Sequence, residues 1–155
     1  MDEQISPMSI LAEEHEVILS MLHEIERNLD SMKKGMLDAN THGRITNLIG
    51  FLQTHFIKEE QVVFPILSRY LGTDRAVVDA VSAEHGRITA DFAQLPKPPS
   101  AQFEKIRKAI HMLKSHISKE DNVLFWLAEI KIPPHLYDIL VKQMSSLETG
   151  QTLIP

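Results

Sequence analysis

The sequence predicts an all-α protein, an antiparallel up-down-up-down four-helix bundle with a short additional C-terminal helix. Three observations carry that reading. Four long stretches repeat their apolar residues at alternating spacings of three and four. No stretch of four or more residues shows the alternation of a half-buried strand. Turn-forming clusters recur every thirty-odd residues, which cuts the helices to bundle length and excludes one long coiled coil.

The first helix opens at Ser6-Pro7, where a side-chain oxygen caps the first turn and the missing N–H of proline costs nothing. Its seam runs Leu11, His15, Ile18, Leu22, Ile25, Leu29. The stretch KKGMLDANTHG then breaks the pattern with glycines and turn formers. A second helix, from about Thr41 to Tyr70, carries Ile45, Leu48, Leu52, His55, Glu59, Val62 and Ile66, and Pro65 should kink or loosen its last turns. Gly72 is a stop signal, and Asp74 is the expected cap of the third helix, with Val78, Val81, His85, Ile88, Phe92 and Leu95 on its seam. PKPPS is a connection rather than a helix. The fourth helix presents Phe103, Ile106, Ile110, Leu113, His116, Glu120, Val123 and Leu127, and ends before Pro133-Pro134. A shorter fifth helix, PHLYDILVKQMSSL, should turn Leu136, Ile139, Leu140 and Met144 inward. Residues 1–148 read as one domain and 149–155 as a frayed tail.

Composition narrows the function. The 43% apolar and 24% charged content is that of an ordinary globular protein. A net charge of -5 argues against nucleic acid or an anionic membrane as partner. The acidic start lacks the build of a signal peptide, and no apolar run is long enough to span a bilayer, so a cytoplasmic location is the default expectation. The absence of cysteine removes disulfides, thiolate metal sites and thiol redox chemistry.

The informative residues are those that interrupt the seams. His15, His55, His85 and His116 do so once per helix, and Glu59 and Glu120 follow His55 and His116 at i+4 on the same face. In an antiparallel hairpin, residues equidistant from the turn lie at one level. His15 and His55 are equidistant from Gly35, Glu59 and His85 from Gly72, and His85 and His116 from the edge of Ser100. All three midpoints fall on or beside an expected turn, so the six side chains should share one layer of the core.

A lone histidine on an apolar face is usually a satisfied core residue, and a lone glutamate there usually reaches water at a helix end. Two carboxylates buried together without a cation are costly, however. Four imidazoles and two carboxylates at one level suit a dinuclear site for iron, manganese, zinc or copper, since calcium and magnesium prefer all-oxygen shells. An internal repeat supports two-fold pairing: LAEEHEVI matches VSAEHGRI, and HFIKEEQVVF matches HISKEDNVLF. Each half supplies one histidine and one His-x-x-x-Glu, giving two imidazoles per metal with the glutamates bridging. The other histidines take ordinary readings: His23 lies at best beyond the ligands, His111 on another helix face, and His42 and His135 near helix starts. Glu14 and Glu84 either accept from imidazole N–H groups or lie on a solvated face. Phe51, Phe56, Phe64, Phe92 and Phe125 read as core, some of them shielding the site, and Trp126 as a half-exposed packing residue.

The order Glu-His, His-x-x-x-Glu-Glu with Phe-Pro soon after, Glu-His, His-x-x-x-Glu resembles the hemerythrin-like (HHE, cation-binding) family, over about Leu11 to Leu127. The resemblance implies a four-helix bundle holding two iron ions as a non-haem di-iron centre with bridging carboxylates. Position by position, it carries the ligand role to His15, His55, Glu59, His85, His116 and Glu120. Oxygen-carrying hemerythrins have a fifth histidine where this chain has Thr89 or Ile88, and a fourth-helix carboxylate that would fall on Asp121. The parallel with Glu59 favours Glu120, with Asp121 as the fallback. A four-His, two-Glu set is similar to the branch associated with iron-centre repair and nitric oxide, which usually adds a cysteine-bearing segment that this chain lacks.

Six protein ligands over two metals leave positions open for oxo, hydroxo, water or a diatomic ligand. The leading expectation is therefore a di-iron protein that binds or senses O2 or NO, with an electron-donor protein as a further partner and manganese or zinc as alternative metals. Turnover of NO, peroxide or O2, and a role in iron buffering or repair, are the competing readings.

Overall fold

The computed structural model describes residues 4–32, 37–95 and 103–148. The first four residues of the expected break KKGMLDANTHG, the expected connection PKPPS and the tail from Thr149 lie outside them, while the break's residues from Ala39 onward are helical. Among the described residues the chain is helical throughout, without strands. Helix α1 spans Pro7–Ser31, capped by the Ser6 hydroxyl, which accepts from the Met8 N–H, with proline in the first turn. Helix α2 runs over 39–71 and starts earlier than the sequence suggests. Asp38 caps it by accepting from the Thr41 N–H at 2.7 Å, the geometry of an Asp N-cap. Helix α3 is Ala76–Gln94, α4 runs over 103–131, and α5 is Tyr137–Glu148 after a short 3-10 turn, Pro134–Leu136. Gly72 ends α2 with φ of 60°, a backbone conformation that side chains disfavour. The expected cap at Asp74 is not made: that residue lies in the 3-10 turn Gly72–Asp74, and α3 starts after Arg75 without a side-chain cap.

Helices α2 and α4 are not uniformly α-helical. Each contains a five-residue π turn, Glu59–Val63 and Glu120–Leu124, closed by bonds from the Phe64 N–H to the Glu59 carbonyl and from the Phe125 N–H to the Glu120 carbonyl. A π turn adds one residue to the repeat and so rotates everything downstream by about 100°. The consequence is a corrected seam. Beyond Glu59, Leu67 is buried and Ile66 only half-buried; beyond Glu120, Leu124 and Ala128 are buried, while Val123 is exposed and Leu127 half-buried. Pro65 breaks nothing, because it follows the π turn, where the i−4 bonding that proline cannot join has already been given up.

Along the chain α1 packs on α2, α2 on α3 and α3 on α4, and α4 returns to α1. Helix α5 lies against α1, α2 and the first π turn. It buries Tyr137, Leu140, Met144 and Leu147, whereas the expected inward residue Ile139 is exposed and Leu136 is half-buried. The apolar core divides in two. One cluster joins Ile18, Leu22, Leu52, Ile88, Ile110 and Leu113; the other joins Leu11, Val63, Leu67, Val81, Leu124 and α5. Between them in sequence on every long helix lies a buried polar position. None of the described helices is long and apolar enough to cross a membrane.

Candidate metal centre

The two apolar clusters are separated by His15 of α1, His55 and Glu59 of α2, His85 of α3, and His116 and Glu120 of α4, all buried. The structure brings together all six side chains that the sequence singles out. One ligand atom each from His15, His55, Glu59 and Glu120 lies within 4.8 Å of the others, and the same holds for Glu59, His85, His116 and Glu120. The glutamates belong to both groups. Glu59 Oε1 is 3.2 Å from His55 Nε2 and 3.3 Å from His85 Nε2. Glu120 Oε1 is 3.2 Å from His15 Nε2 and 3.0 Å from His116 Nε2. Glu120 Oε2 also lies 3.8 Å from His85 Nε2, so each carboxylate approaches at least one imidazole of either group. Each glutamate also begins a π turn, so the wider turn starts where the side chain enters the centre.

A ring of carboxylates faces the outer nitrogen of each imidazole. His15 Nδ1 donates to Asp121 at 2.7 Å, His55 Nδ1 to Glu14 at 2.8 Å and His85 Nδ1 to Glu60 at 2.9 Å. His116 Nδ1 lies 3.6 Å from Glu84, a longer approach. A proton fixed on Nδ1 leaves the Nε2 lone pair facing the centre, as a ligating imidazole requires. The pattern follows the internal repeat. Glu14 holds, and Glu84 faces without a hydrogen bond, the histidine of the His-x-x-x-Glu in its own half, while Glu60 and Asp121 hold the single histidine of the other half. Asp121, the fallback ligand, therefore stands behind His15 rather than in the centre.

The inner atoms are unsatisfied. All four Nε2 atoms and both oxygens of Glu59 and Glu120 are buried without a hydrogen-bond partner. They approach one another closely but lack the alignment of hydrogen bonds. Buried polar atoms are nearly always satisfied, and eight orphans in one layer make a cost that a bound cation removes. Protonation responds in the same sense. Burial opposes the cation of His55, but the charge of Glu59 and the bond to Glu14 outweigh it and lift the group to about 9. His85 is likewise disfavoured by burial and raised to about 10 by Glu120 and Glu59. Burial and the neighbouring Glu120 charge raise Glu59. Burial alone would raise Glu120 too, yet the close approach of Glu59, His116, His15 and His85 holds it well below the usual range. Such a site draws positive charge into an apolar core.

Aromatic rings close the layer. Phe56 stacks on His85 with centroids 3.9 Å apart, Phe64 lies 5.5 Å from His85, and Phe125 stacks on His15 at 5.2 Å. His23, His111 and His135 are exposed and His42 is half-buried, all outside both groups. Glu60 and Lys58 contribute although the sequence pattern does not single them out. Glu60 turns off the apolar seam, which disqualifies it as a ligand but places it behind His85. Lys58 is buried and paired with Glu14 and Glu148; its one signal in the sequence is its recurrence as Lys119 in the repeat.

No curated protein sequence matches this chain. The crystal structure of a Hemerythrin HHE cation binding domain-containing protein from Mycobacterium kansasii is similar in fold. It is 17% identical, with a TM-score of 0.68 over 94% of this chain and 89% of that one. The family model described as Hemerythrin HHE cation binding domain matches residues 6–128. On that match, the chain belongs to the hemerythrin HHE cation-binding domain family.

Proposed function

We propose that this protein holds two iron ions within an antiparallel up-down-up-down bundle and uses them to bind or sense O2 or NO. His15 and His55 would hold one ion, His85 and His116 the other, and Glu59 and Glu120 would bridge them. The observation that carries the reading is the set of inward-facing, unpartnered Nε2 and carboxylate atoms, divided into two groups that share both glutamates. Mixed imidazole and carboxylate donors suit iron, with manganese or zinc as chemically acceptable substitutes. Bound iron supplies one-electron redox chemistry and coordination positions for a diatomic ligand. The chain's own residues orient the imidazoles through Asp121, Glu14 and Glu60, exclude water through Phe56, Phe64 and Phe125, and hold the bridging carboxylates in an apolar layer.

The test is an optical titration. The anaerobic di-ferrous protein should develop a new near-ultraviolet or visible band on exposure to O2 or NO, and the absence of any band with either gas would sink the proposal. Repeated consumption of O2, NO or peroxide with an added reductant would move the assignment to an enzyme. A metal-loaded protein inert to all three would move it to iron buffering or repair.

A further inference from the structure

The repeat places a lysine three residues after each His-x-x-x-Glu histidine, Lys58 and Lys119. Lys58 is 3% exposed; its ammonium pairs with Glu14 and, at 2.6 Å, with Glu148. Glu148 is the last residue of α5, so a buried cation ties the end of the C-terminal helix to the carboxylate that orients His55. Lys119 is 55% exposed and pairs at 2.9 Å with Glu84, and no second acidic partner meets it among the described residues. A buried lysine needs its carboxylates, since an unpaired charge there is strongly destabilising. An exposed pair contributes little. Helix α5 also packs on the π turn that begins at Glu59. At the other end of the centre the counterpart of the chain Glu148–Lys58–Glu14–His55 is shorter and looser: Lys119 pairs with Glu84, Glu84 stands 3.6 Å from His116, and among the described residues no acidic residue of α5 joins them.

We infer that Lys58 is a positioning residue for His55 and that α5, docked through Glu148, acts as a latch on one of the two metal positions. Metal leaves the His85–His116 position readily and the His15–His55 position slowly. The inference rests on the dinuclear reading, and the experiment separates the two.

The full-length chain, loaded with iron, is mixed with excess bipyridyl under reducing conditions and release is followed by the colour of the chelate. The wild type should show two phases of equal amplitude. Lys58→Met should accelerate the slow phase by about tenfold, the lower end of what support behind a metal ligand contributes, and leave the fast phase unchanged. Glu148→Gln, which leaves Lys58 paired with Glu14, should accelerate the slow phase by a smaller factor. Lys58→Arg should restore it, and Lys119→Met should leave it alone. A general loss of stability would accelerate both phases together, and that result overturns the inference, as does a single wild-type phase from two bound irons. Amide hydrogen exchange of α5 in the metal-free protein supplies the independent readout. Faster exchange in Lys58→Met and Glu148→Gln supports the latch, and unchanged exchange overturns it. Fewer than two irons per chain with faster α5 exchange overturns the dinuclear reading and keeps the latch.

Discussion

The two halves of the centre share a sequence but not an environment. His55, Lys58, Glu59 and Val62 recur as His116, Lys119, Glu120 and Val123. The histidines and glutamates are buried in both copies, while Val62 is 2% and Val123 45% exposed. The difference is α5, which covers the first π turn and leaves the second bare at Val123, and the turns after it at Trp126 and Ile130. The buried polar side chains of a repeated motif are therefore placed by the repeat, but the support behind them is placed by whatever packs on each copy.

Substitution at the residues the halves share should have the strongest consequence. Glu59→Ala with Glu120→Ala removes both carboxylates that the two groups share and, on the proposed function, should abolish metal binding at both positions, together with the rise in Tm that metal gives. Metal analysis of the purified double variant checks it, and retention of both ions would sink the ligand assignment. His116→Ala and His55→Ala should each cost one position only, and the surviving ion should be held more firmly in the His116 variant, where the latch remains.

A smaller effect comes from pH, and it separates the empty centre from the filled one. His55 and His85 are lifted to about 9 and about 10 from an ordinary 6.5. Groups raised on folding contribute stability that is fully present below 6.5 and lost as pH rises through the folded values. The metal-free protein should thus lose several degrees of Tm between about pH 6.5 and pH 10. The metal-loaded protein should not share that loss, because the ions replace the protons. Parallel thermal melts of the two forms across this range decide it, and equal slopes would remove the electrostatic account of the centre.

The six core polar residues were legible because each breaks an apolar repeat at a level fixed by the turns, so periodicity and chain geometry were enough. The π turns were not, since a seam read at a constant period has no room for an extra residue. The signal was nevertheless present: Val62, Val63 and Phe64 are three consecutive apolar residues, all buried, which a single α-helical stripe does not accommodate. At Val123, Leu124 and Phe125 the same run exposes its first member, so the slip is seen in which residue is left outside. The burial of Lys58 had no local signal. A lysine beside a seam ordinarily extends its head to water, and what encloses this one includes Glu148, ninety residues further on. Asp121 and Glu60 were hidden differently: both lie off the apolar face, and only the back of an imidazole on a neighbouring helix gives them a role.

Those two residues provide the finest test of where the asymmetry resides. Glu60 is 44% and Asp121 37% exposed, and each accepts from the Nδ1–H of the single histidine of the opposite half, at 2.9 Å and 2.7 Å. Neither touches Lys58 or Glu148. If the halves differ only through α5, these two positions should still behave as symmetry mates. Glu60→Gln and Asp121→Asn keep the size of the side chain and an oxygen that can accept, but remove the charge that favours a strongly basic imidazole. Each should weaken metal binding by about tenfold, and the two losses should differ by no more than about threefold. Competition against a chelator of known affinity measures both. A large difference between them would mean that the inequality of the metal positions begins inside the ligand layer, and α5 would then report the asymmetry rather than create it.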